Sequence, residues 1–191
     1  MRLFHSYITI CFLLTSSIFC SAQQSGNIDV RRGVSPFFSG SVRSQLDSSY
    51  KLLPAGEIDF NGHIETNFSL QPDTAKPYIL EGVSFKSVLL TYVADTLIRI
   101  TLSNLYLPRH SPDFRKKARS DYRRLAFVFT TQWKRSGSPR IFTQSPDKII
   151  ISRGLQWDTE RTRTKLALYE DKGQRQPLSD ISVTWELQGY D

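Results

Sequence analysis

Between Phe114 and Trp133 apolar residues recur every three or four positions. Phe114, Ala118, Tyr122, Leu125, Ala126, Phe129 and Trp133 form one stripe of a 3.6-residue period. The spacing predicts one long amphipathic helix whose stripe needs a core to cover. Ser111-Pro112-Asp113 predicts its start, because serine caps orphan amides and proline suits a first helical position. Gly137 followed by Pro139 predicts its end. Ser120-Asp121 is a second possible cap that would leave residues 121–135 as the main helix.

Elsewhere the period is two, the period of a half-buried strand. Residues 64–70 and 97–102 alternate, 78–90 reads as a further strand, and Ala94-Asp95-Thr96 joins the last two as a hairpin. Asn61-Gly62 between alternating residues predicts a tight hairpin, since both accept the positive φ of a primed turn. Glu57, Asp59 and Asn61 ahead of Gly62 have the oxygens of a calcium loop. Phe68 stands where such a loop needs a bidentate glutamate, so the hairpin is preferred. After the helix, residues 148–153 form a strand that Gly154 continues as a bulge. Residues 161–169 alternate between a buried and a wet face, and Ile181, Val183, Trp185 and Leu187 mark a final strand.

The N-terminus carries Arg2 and then a short apolar run from Tyr7 to Phe19, followed by Cys20-Ser21-Ala22. That order predicts a cleaved secretory leader over residues 1–22, with lipidation of Cys20 as the alternative. Both cysteines, Cys11 and Cys20, lie in it, so the mature chain would have neither a disulfide nor a thiol nucleophile. Residues 23–55 then read as a partly ordered arm in which Phe37 and Phe38 tuck onto the rest, with a short helical turn over 41–53. Residues 56–191 read as a single domain.

Charge changes the picture of the helix. The whole chain carries a formal +7, yet ten Lys or Arg against two acids fall between Arg109 and Arg140, so the remainder is close to neutral. On a helical projection these cations gather opposite the apolar stripe, and Phe127 lies among them. It is either exposed for contact or packed beneath a second layer. Arg115, Lys116, Arg119, Arg123, Arg124, Phe127 and Lys134 are therefore the candidate surface for an anionic partner: an acidic glycan, a lipid headgroup or an acidic protein surface.

No catalytic motif accompanies this surface. His63 and His110 are too few for a zinc site of ordinary composition, and no HExxH, CxxC, GxSxG or phosphate-cradling glycine loop occurs. Ser111 beside His110 reads as a helix cap. Asp158 and Glu160, next to Trp157, are the residues a carboxylate-pair glycosidase would use, but a strand end followed by a turn is the preferred reading of them.

The expectation is an α+β fold. An antiparallel sheet of about six to eight strands carries the helix across one face, and a β-sandwich with an added helix is the alternative. The expected role is an exported periplasmic, envelope or secreted binding module without catalysis or cofactor; a secreted hydrolase is the alternative. Export argues against nucleic acid, and no stretch after the leader is long enough to cross a bilayer.

Overall fold

A computed structural model describes residues 28–29, 31–35, 37–43, 52–60, 62–70, 78–146, 149–173 and 177–190. The leader expected over residues 1–22 lies outside them. In chain order the elements are β1 (Ile28–Asp29), β2 (Gly33–Val34), β3 (Phe37–Phe38), β4 (Leu52–Phe60), β5 (His63–Leu70), β6 (Tyr78–Leu80) and β7 (Val83–Phe85). They continue with β8 (Ser87–Val93), β9 (Thr96–Tyr106), α1 (Phe114–Trp133), β10 (Ser138–Gln144), β11 (Ile150–Asp158), β12 (Thr162–Asp171) and β13 (Leu178–Leu187).

The architecture is α+β. Eight strands form one antiparallel sheet in the order β10-β11-β12-β13-β9-β8-β5-β4, beside a three-stranded sheet β1-β2-β3 and a pair β6-β7. The chain leaves the middle of the large sheet at β9, crosses one face through α1, and enters the far edge at β10. It then meanders back until β13 lies beside β9. That route places α1 over β12, β13 and β9.

Alternation decides which side chains meet the helix. Leu166 and Leu168 of β12, Ile181, Val183 and Trp185 of β13, and Ile100 and Leu102 of β9 are buried together with Phe114, Ala118, Leu125, Phe129 and Trp133 of α1. The Phe129 ring lies 5.5 Å from that of Trp157 and 6.4 Å from that of Trp185. This aromatic trio joins helix to sheet. The same buried cluster takes in Val34, Phe37, Leu80, Val83 and Phe85, so the small sheets complete the layer that α1 begins. Phe37 is fully buried, as expected of the arm.

The opposite face of the large sheet carries a ladder of paired charges. Arg99 contacts Glu65 at 3.1 Å and Glu186 at 3.2 Å, Lys165 contacts Glu186 at 2.7 Å, and Arg163 contacts Asp158 at 3.0 Å. Both edge strands contain a proline and a shifted register. These are Pro54 with the shift between Pro54 and Gly56 in β4, and Pro139 with the shift between Ile141 and Thr143 in β10. Such features blunt an edge against further strand pairing.

Several local expectations are corrected. The helix begins at Phe114, not Ser111: the Ser111 hydroxyl accepts the Asp113 amide at 3.2 Å and builds a turn ahead of it. There is no break at Ser120-Asp121, because Asp121 is a buried mid-helix acid that accepts from the Tyr106 hydroxyl at 2.9 Å and from Lys117 Nζ at 3.0 Å. Lys134, at φ 54°, takes the left-handed terminal position expected of Gly137. Gly137 is needed for space instead, since a Cβ there would stand 2.7 Å from the Trp157 ring. Gly154 pairs in regular register with Ala167, so the bulge lies in β10. A Cβ on Gly154 would run into the Leu166 carbonyl.

Residues 78–90 break into β6, β7 and β8, because Glu81 and Gly82 turn at φ 49° and 77°. The helical turn expected over 41–53 falls mostly on residues 44–51, which lie outside the described set; on either side of them Val42 bridges Thr96 and Leu52 opens β4. At the β4–β5 turn Phe60 pairs with His63, Gly62 has φ 81°, and its amide donates to Asp59 Oδ1 at 3.2 Å. That is the expected two-residue hairpin.

Candidate functional site

The seven candidate residues all lie on α1 or at its C-terminal cap, and the structure divides them by what holds them. Arg115 is half-buried; its Nη2 donates to the Asp171 carbonyl at 3.3 Å and its guanidinium lies 5.2 Å from the Phe114 ring. Arg119 lies 2.8 Å from Oε1 of Glu170, whose side chain is 1% exposed. Arg124 donates to the Glu81 carbonyl at 3.2 Å and so ties the helix to the β6–β7 turn. These three cations are part of how α1 is fastened.

Lys116, Arg123 and Lys134 are exposed, and none of their side chains has an ion pair or hydrogen bond among the described residues. At about 100° per residue, Lys116, Arg123 and Phe127 fall within roughly 40° of one another on the helix surface, with Ser120 and Thr131 beside them. Lys134 extends that line at the C-terminal end. Phe127 is 73% exposed, which decides between the two fates open to it: no second layer covers it. The crest of α1 thus presents three unpaired cations and one bare aromatic, with no acid in the line.

A groove of about 490 Å³ runs along one flank of the helix between Tyr122 and the strands β10 and β11, walled by Pro139, Ile141, Leu155, Arg140 and Arg153. Arg153 lies 3.7 Å from Glu170 Oε2, so Glu170 serves Arg119 and Arg153 together. Burial pushes the Tyr122 phenol upward, against the opposing pull of Arg153, and the hydroxyl stays neutral at ordinary pH. A second hollow of about 540 Å³ lies over the first turns of α1, between Asp113, Arg115, Lys116, Arg119 and Arg123. Around both, the arginines outnumber the acids.

Sequence reasoning missed Arg153 and Ile141 as neighbours of the helix because β10 went unrecognised. The apolar pair Ile141-Phe142 was the one local signal there, and it carries no alternation.

The other candidates for chemistry are accounted for locally. Partial burial would raise the Asp158 carboxyl, but hydrogen bonds from Gln156 and Arg163 outweigh it and hold the group below its ordinary range. A carboxylate fixed in that state suits an ion pair better than proton donation. Glu160 sits exposed in the turn before β12. Among the described residues no group of three or more His, Cys, Asp or Glu is placed to hold a metal ion. No helix there is long and apolar enough to cross a membrane.

No family model matches this chain, and neither a curated protein nor a solved structure matches it.

Proposed function

We propose that this is an exported, non-catalytic binding module of the cell envelope or its surroundings that meets anionic partners through the outer face of α1. The observation that carries the reading is the division of the helix cations. Arg115, Arg119 and Arg124 are engaged by Asp171, Glu170 and Glu81, whereas Lys116, Arg123 and Lys134 are left without partners around an exposed phenylalanine. Cations that fasten the helix serve the fold; cations in a line with nothing to pair serve something outside it.

The physics is that of many weak attractions. Each exposed charge interacts feebly in water, yet several on one face steer association and lose their effect as salt shortens the Debye length to about 10 Å at 0.1 M. The protein should therefore be retained on an anionic exchange matrix and released by moderate salt. Retention should be lost in the combined variant Lys116→Glu, Arg123→Glu, Lys134→Glu. Equal retention of that variant and the parent would reject the crest as the working surface.

A further inference from the structure

The crest has a shape as well as a charge, and the shape narrows the partner. It is convex, it runs about 27 Å from Lys116 to Lys134 at 1.5 Å per residue, and its single large apolar group stands in its middle part. A sugar site needs concave walls that bury the ligand; the hollow beside Lys116 and Arg123 stops short of Phe127 and Lys134, so no such walls enclose the aromatic or the C-terminal half of the crest. An aromatic anchor at a protein interface fills a pocket in its partner within a ring of contacts that exclude water. Here the neighbours of Phe127 along the crest are Arg123, Ser120 and Thr131. Cations strung along a straight ridge, with one aromatic between them, match a flat anionic surface that yields to an apolar ring.

We propose that α1 lies along an anionic lipid surface, with Lys116, Arg123 and Lys134 meeting headgroups and the Phe127 ring entering the interfacial region. This rests on the reading above that the outer face of α1 meets anions. The apolar stripe of α1 is already spent on the sheet, so the helix does not embed itself in the bilayer as a free amphipathic helix would. Attachment is peripheral: charge brings the surface close and one ring holds it there. An isolated exposed phenylalanine is ordinary on a protein surface. Its position in a line of unpaired cations is what gives it a partner.

The experiment uses the intact protein and vesicles of phosphatidylcholine with or without phosphatidylglycerol. Co-sedimentation should require the anionic lipid, fall with salt, and weaken roughly tenfold for Phe127→Ala. The three native tryptophans, Trp133, Trp157 and Trp185, are buried, so Phe127→Trp adds one exposed indole. Its emission should shift to the blue on anionic vesicles and be quenched by brominated acyl chains. Phe127 is exposed and lies outside the buried cluster, and unchanged thermal unfolding of both variants confirms that the fold is intact.

Retention on an anionic matrix together with failure to bind anionic vesicles would overturn the lipid assignment and leave the anionic reading standing, with an acidic glycan or protein as partner. Vesicle binding without a blue shift or quenching at position 127 would overturn the insertion of the ring. Failure to bind either matrix or vesicles would overturn both readings.

Discussion

Phe127 and Phe129 stand two residues apart on one helix and are treated in opposite ways. Phe129 is fully buried between Trp157 and Trp185, while Phe127 is 73% exposed among cations. The charges repeat the contrast. Arg119 reaches a buried glutamate, and Arg123, one turn further along, reaches nothing. On the far side of the large sheet β13 does the same with acids: Glu186 is shared by Arg99 and Lys165, whereas Asp180 has an oxygen that is buried without a hydrogen-bond partner. An unpaired charge in water costs the fold nothing. An unpaired charge in the interior must either find a partner or keep its proton.

The largest effect should come from the buried member of the aromatic pair. Phe129→Ala removes the ring that joins α1 to two tryptophans of the sheet, and such truncations cost about 3 to 5 kcal/mol. Urea unfolding should show a midpoint lowered accordingly; a cost under about 1 kcal/mol would mean that the helix is not fastened by this contact.

The next effect tests the unpaired acid. Burial pushes the Asp180 carboxyl up from 3.8 to about 6, although the Asn104 and Ile181 amides pull it down. The folded state therefore holds a proton that the unfolded chain releases at lower pH. The contribution to stability is complete below about pH 4 and disappears as pH rises through 6, by roughly 2 to 3 kcal/mol. Asp180→Asn should flatten the pH dependence of unfolding across that window and stabilise the protein at neutral pH. A slope that survives the substitution would place the titration elsewhere.

Glu170→Gln should cost somewhat less, about 2 kcal/mol, because it takes the countercharge from Arg119 and Arg153 while both guanidiniums can still reach water. It should also do what a simple loss of stability would not. Freeing two arginines beside the crest should raise the salt concentration needed to release the protein from an anionic matrix. Weaker stability with unchanged retention would separate the groove from the working surface.

How much of this could be read from the chain depends on the distance over which each feature is determined. The helix stripe, the Asn61-Gly62 hairpin and the alternation of β12 and β13 are set by neighbours within one or two turns of chain, and they were legible. β10 was not: it is an edge strand with Pro139 near its start, a register shift after Ile141 and mostly exposed residues, so no face alternates cleanly. The helix end was misplaced because Lys134, not glycine, adopts the positive φ. Asp121 could be read as a cap only until Tyr106 and Lys117 were seen to satisfy it.

For the surface, seven residues could be nominated from the charge pattern, but not sorted. Arg119 and Glu170 are 51 residues apart, and only the crossing of α1 over β12 brings them together.

The smallest expected effect on stability is the one on which the crest depends. Reversing Lys116, Arg123 and Lys134 together should change unfolding by no more than about 0.5 kcal/mol, since exposed residues without partners contribute little to the folded state. Reversing Arg119 and Arg124 moves the net charge in the same direction. It also sets a glutamate against Glu170 and removes the donor from the Glu81 carbonyl, so this second variant should be clearly less stable. A thermal melt of each beside its elution from an anionic matrix separates the two roles. The crest variant should keep its stability and lose retention. If the two variants melt alike, the division of α1 into fastening and reaching cations fails.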